Sequence, residues 1–155
     1  MNNKKGFTLI ELLAVIVILA IVTVVGVTTI LPYIQNAGQD AFKDEANYVI
    51  DASANAVSLI AIGSVTTNYT EITDGYCFTL KNLVDLGLWN KDANMVAASK
   101  TNNKYSGTVK VTKASSGNGY LYELKMTDGV KYLATKTTTG SITISSSKND
   151  NSSCS

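Results

Sequence analysis

The sequence predicts an α+β protein in which a long N-terminal helix packs on a C-terminal antiparallel β-sheet. Three observations carry that prediction. An apolar run of bilayer length opens at Phe7, and a helical periodicity follows it. Beyond Asn94 the periodicity drops to two, with turn residues between the segments. The 155 residues suffice for one domain with a core of its own.

The first element is the apolar run. Phe7–Leu31, FTLIELLAVIVILAIVTVVGVTTIL, holds 25 residues with Glu11 as its single charge. As a helix it spans roughly 37 Å, against a hydrocarbon core of about 30 Å, so it can cross a membrane with some tilt. A secretory signal has a shorter apolar region of about 7–15 residues and then a small-residue cleavage site. LPYIQNAGQ, which follows here, offers no A-x-A. The run is therefore expected to remain as a single span. Lys4 and Lys5 precede it, which keeps the leader in the cytoplasm and sends the rest of the chain outward.

Glu11 needs an explanation. A carboxylate at the bilayer centre costs about 2.5–3.5 kcal/mol on insertion scales, and less near an end. One reading is a side chain that snorkels to the cytoplasmic interface. The other gives it a positive partner inside an assembly, because a buried carboxylate is tolerated chiefly when paired. A cut between Gly6 and Phe7 would remove both lysines and create such a partner. The new α-amino group of Phe7 would stand at the apolar end of the helix, ready to meet Glu11 of a neighbouring copy. Glu11 would then fix the register of packed helices.

The succession of basic leader, Gly6, Phe7, Thr8-Leu9-Ile10-Glu11 and spanning run resembles the class III signal of type IV prepilins and pseudopilins. The resemblance is close over residues 4 to about 31. It implies that a membrane-embedded prepilin peptidase cuts after Gly6 and methylates the amine of Phe7, and that Glu11 supports assembly. It also implies the pilin fold. The chain departs from the family in having Ala20 and Thr28 where glycine and proline are common; Gly26 and Pro32 stand four to six residues later. Pro32 is expected to weaken the bond to the Thr28 carbonyl and to kink the helix.

From Tyr33 to Ile62, Ile34, Ala37, Ala41, Tyr48, Val49, Ala52, Ala56, Leu59 and Ile60 trace one helical face. The expected element is an amphipathic helix laid on a sheet and continuous with the span. Gly63 and the polar SVTTNYTEITDG end it. A short helix is expected over Thr79–Leu86, with Thr79 as N-cap and Gly87 as stop, and Trp89 after it as a core anchor. YSGTVKVTK, YLYELKMT, VKYLATKTT and SITISS are four strands centred near Val109, Tyr122, Tyr132 and Ile144, joined by SSGNG, DG and TG. Val109, Val111, Tyr120, Tyr122, Leu124 and Met126 would form the face over the helix. The organisation expected is thus leader 1–6, assembly helix 7–31 and extracytoplasmic domain 32–155. Within that domain come an amphipathic helix 33–62, a connection 63–94, a meander 95–146 and a tail 147–155.

Cys77 and Cys154 have no metal-ligand spacing. In a reducing cytosol they would be unrelated thiols; on the outer side they are a natural disulfide pair that would tie down the tail. The chain has no histidine, and its 13 basic residues are all lysine. Imidazole-dependent catalytic pairs and HExxH zinc sites are excluded. No enzyme activity, cofactor or metal is expected. The formal net charge of +1 gives no long-range pull on nucleic acid, and no specific nucleic acid partner is expected. Asn68-Tyr69-Thr70 and Asn151-Ser152-Ser153 fit a glycosylation sequon by chance, and Asp150 alone makes a poor calcium site. Residues 40–85 carry a balance of −5 and residues 91–136 one of +5.

These features together point to a structural subunit of a type IV pilus-like filament, serving adhesion, motility or surface attachment. Its partners would be copies of itself and other pilins, the prepilin peptidase and methyltransferase, the membrane assembly platform, and lipid before assembly. It would sit as a single-pass precursor in the cytoplasmic membrane with its N-terminus inside, then in an extracellular pilus. Alternatives are a pseudopilin of type II secretion, a competence pilin aiding DNA uptake and, from another class, a single-pass surface binding module.

Overall fold

A computed structural model describes residues 7–96, 104–117, 119–146 and 153–154. The expected leader 1–6 with Gly6, and Asp150 and Asn151 of the expected tail, lie outside the described residues. The elements are α1 (Leu9–Ala61), β1 (Thr70–Ile72), β2 (Gly75–Thr79), α2 (Leu80–Asp85), a 3-10 turn (Ala93–Met95), β3 (Ser106–Lys113), β4 (Tyr120–Thr127), β5 (Leu133–Lys136) and β6 (Thr143–Ser145). A long N-terminal helix followed by a six-stranded antiparallel sheet is an α+β, pilin-like architecture. The chain divides into two compact units, residues 1–38 and residues 39–155.

In the first unit, α1 presents an almost unbroken series of exposed apolar side chains, from Leu9 through Ile34. It is long and apolar enough to cross a membrane. The polar side chains within the run are satisfied locally. Thr23 Oγ1 donates to the Leu19 carbonyl at 2.9 Å, Thr28 Oγ1 to Val25 at 3.0 Å and Thr29 Oγ1 to Gly26 at 3.0 Å. In hydrocarbon such back-bonding removes the cost of a bare hydroxyl. Pro32 lies inside the helix, which is not interrupted there.

In the second unit α1 buries Phe42, Ala46, Val49, Ala52, Ser53, Ala56 and Val57. The face the apolar spacing predicted is met in part: Val49, Ala52 and Ala56 are buried as expected, whereas Ala41 and Tyr48 are exposed and Phe42, Ala46, Ser53 and Val57 widen the buried side. A serine can sit in the core because its hydroxyl donates to the Ile50 carbonyl at 2.7 Å. The α1 core residues share one cluster with Phe78, Val109, Val111, Leu124, Met126 and Ala134. Helix end and stop fall where the glycines put them: Gly63 has φ +74° and Gly87 φ +69°.

The strands run in the order β1-β2-β3-β4-β5-β6, each antiparallel to the next. Val109 stands opposite Leu124 and Val111 opposite Tyr122, which puts four of the six expected inward residues in the core. Tyr122 is half-buried; burial raises its phenol pKa above the ordinary value, and Tyr120 and Asp51 add to the effect. Tyr120, at the strand end, is exposed, and Tyr132 precedes β5 rather than centring it. Strands β1 and β2 correct the expectation of a connection. They leave little pattern in the sequence because β1 is a three-residue edge, and Thr79 ends β2 while its side chain caps α2 in a reciprocal capping box with Asn82. Trp89 is the anchor expected of it: it is buried, and its Nε1 donates to Glu45 Oε1 at 2.6 Å while Lys91 Nζ holds Glu45 Oε2 at 2.9 Å.

Gly107 in β3 has φ +151°, and a Cβ there would run into the Lys125 carbonyl oxygen and the Met126 Cα across the ladder. Backbone atoms in a paired strand cannot step aside cheaply. Gly107→Ala should therefore destabilise the domain by more than about 3 kcal/mol, read as a fall in melting temperature of the detergent-solubilised chain. A change within about 0.5 kcal/mol, the range of an ordinary surface substitution, would contradict the close approach.

Candidate assembly site

The N-terminal end of α1 brings the sequence-predicted residues together. Phe7 is 85% exposed and is followed by Thr8, the residue before the first helical position Leu9. Thr8 N–H donates to Glu11 Oε2 at 2.9 Å, Thr8 Oγ1 donates to the same oxygen at 2.9 Å, and Glu11 N–H reaches Thr8 Oγ1 at 3.4 Å. Thr8 and Glu11 thus form a reciprocal capping box, with Glu11 three residues into the helix. Its signature, Thr-x-x-Glu, is visible in the sequence, and reading Glu11 only as a charge overlooked it.

The geometry has two chemical consequences. One carboxylate oxygen of Glu11 takes two hydrogen bonds from its own chain, which lowers the cost of placing it in an apolar setting. The charge itself has no cation in the described part of the first unit, so the carboxylate is solvated by donors yet open to a cationic partner. Its place in the first turn also suits the positive end of the helix dipole.

Residues 1–27 match the family model of the prokaryotic N-terminal methylation motif. Residues 1–27 are thus similar to a class III signal peptide. That match covers the leader, Gly6, Phe7, the Thr8–Glu11 capping box and most of the apolar run, and the methylation motif is consistent with a type IV pilin or pseudopilin. Motif and apolar helix together fit a membrane-anchored precursor. No curated protein and no solved structure matches the chain.

The second unit holds the other predicted residues. Cys77 in β2 and Cys154 are joined in a disulfide with Cα atoms 5.5 Å apart, and the Cys77 side chain is fully buried. The acidic and basic stretches are both placed in this unit. Asp40, Asp44 and Asp51 are exposed on α1, and Lys110 and Lys125 lie on the β3–β4 pair.

Proposed function

We propose that this chain is the precursor of a structural subunit of a type IV pilus-like filament, exported on its apolar helix and acting without enzymatic chemistry. The observation that carries the reading is the juxtaposition at the start of α1: Phe7, immediately after Gly6, one turn from a carboxylate already held by Thr8. Cleavage after Gly6 by a prepilin peptidase removes Lys4 and Lys5 and leaves an ammonium on Phe7, which the same machinery methylates. In the filament that ammonium meets Glu11 of a neighbouring subunit, and the exposed apolar faces of the helices leave lipid for one another. The Cys77–Cys154 bond then lies on the oxidising side, where the filament serves adhesion, motility or surface attachment. A pseudopilin of a secretion or competence system shares every step and differs in the length and abundance of the assembly.

Mass spectrometry of filaments sheared from intact cells tests this reading. The subunit is expected to begin at Phe7 with one methyl group on its amine. Gly6→Ala should leave uncut precursor in the membrane and no filaments outside. Filaments whose subunits still begin at Met1 would overturn the proposal.

A further inference from the structure

The six-stranded sheet buries one face, and the other face carries chemistry that assembly through α1 does not use. Along β3 the side chains alternate: Val109 and Val111 enter the core, while Thr108, Lys110 and Thr112 take the opposite face. On β4 Leu124 and Met126 enter the core, and Glu123 and Lys125 stand with the outer set. The register places Lys110 opposite Glu123, Thr108 opposite Lys125, and Lys125 opposite Thr135 of β5. Cys77 pairs with Lys110 in the ladder, so the disulfide carries the Cys154 end of the chain to this face.

A recess of about 370 Å³ lies there, lined by Lys110, Lys125 and Lys136, by Glu123, and by hydroxyls that include Thr108, Thr135 and Ser153. Lys136 is held in place by the Tyr122 and Thr137 carbonyls at 3.3 and 3.2 Å. Although Glu123 lies across the ladder from Lys110, none of the three lysines is in an ion pair among the described residues. Among the described residues Lys110 and Lys125 on the outer face, with Lys136 at the end of β5 opposite Leu124, stand around the recess against the one carboxylate of Glu123.

We infer that this recess binds a phosphorylated polyol or sugar. Lysine ammonium groups suit a phosphate as point charges. Threonine hydroxyls serve either end of such a ligand, and a carboxylate accepts hydrogen bonds from hydroxyl groups, a role that a bare anion would leave unfilled and unfavourable. The volume fits a ligand of one or two sugar-sized units. The site sits wholly in residues 39–155 and stands whether or not the chain polymerises.

The test is calorimetry on the full detergent-solubilised chain with sn-glycerol 3-phosphate, inorganic phosphate and glycerol as probes. Glycerol phosphate should bind saturably and more tightly than inorganic phosphate, and glycerol alone should not register. Lys110→Gln and Lys125→Gln should each weaken binding by about tenfold or more, with melting temperatures unchanged. Lys131→Gln, on the exposed β4–β5 loop, should bind as the parent does. Glu123→Gln should erase the preference for the polyol over bare phosphate. Absence of saturable phosphate binding, or equal weakening by Lys131→Gln, would overturn the site. Equal affinity of the parent for glycerol phosphate and inorganic phosphate would overturn the polyol assignment.

Discussion

Glu11→Gln should abolish filaments or nearly so, while leaving membrane insertion and the fold of residues 39–155 intact. Glutamine at the third helical position still completes a capping box with threonine, so this variant keeps the local structure that Thr8 and Glu11 build and removes only the charge. Removing a charge from an apolar segment favours insertion, and a simple anchor would be unharmed or improved. In an assembly the Phe7 ammonium of the neighbour would lose its partner, and a buried ion stranded in this way costs about 3–5 kcal/mol. Repeated at every subunit contact, that penalty exceeds what a polymer tolerates. Filaments counted by electron microscopy, at matched membrane levels of variant and parent, give the answer. If Glu11→Gln assembles normally while Glu11→Ala does not, the residue serves as a helix cap and the charge-pairing account is wrong. If both assemble, Glu11 merely snorkels to the interface and the case for a pilin loses its main support.

Breaking the disulfide should have the next largest effect. Cys77 and Cys154 are 77 residues apart in sequence, and closing a loop of that size contributes about 4 kcal/mol in the chain-entropy account. Cys154→Ala removes the bond and leaves the buried Cys77 as a small apolar thiol, which costs little in itself. The domain should melt about 10 °C lower or more, and the parent should fall by a similar amount under reductant while Cys154→Ala does not respond to it. A parent that melts at the same temperature with and without reductant would remove the bond from the account of stability.

The N-terminus was legible because its signals are local and one-dimensional: a run of apolar residues, a glycine, a charge in a fixed place. So were the four later strands, whose alternation survives in Val109–Val111 and Leu124–Met126. The hidden parts depend on contacts that spacing does not encode. Phe42 and Ser53 face the core because the sheet covers that side of α1, and apolarity alone favoured Ala41 and Tyr48 instead. Trp89 and Glu45 meet across 44 residues, a pairing set by packing. The β1–β2 hairpin is short, three residues and then five, and its second strand runs directly into the cap of α2, so neither period had room to show. The lysine recess exists only through register: Lys110, Lys125 and Lys136 are 15 and 11 residues apart in the chain and neighbours only once β3, β4 and β5 are aligned.

The strand order has a kinetic consequence. Every strand pairs with the one made just before it, and all the ladders but β2–β3, whose connection carries α2, close over six residues or fewer; local pairings of that kind form quickly. A chain delivered through a membrane from its N-terminal side can therefore build this sheet hairpin by hairpin, each newcomer adding to an edge already present. What must wait is the helix. Phe42, Val49 and Ala56 emerge first and stay uncovered until β3 and β4 supply Val109, Val111, Leu124 and Met126. During that interval the apolar side of the helix is open to wrong partners, including the same side of another nascent copy, and the rate at which the β3–β4 hairpin closes sets how long the exposure lasts.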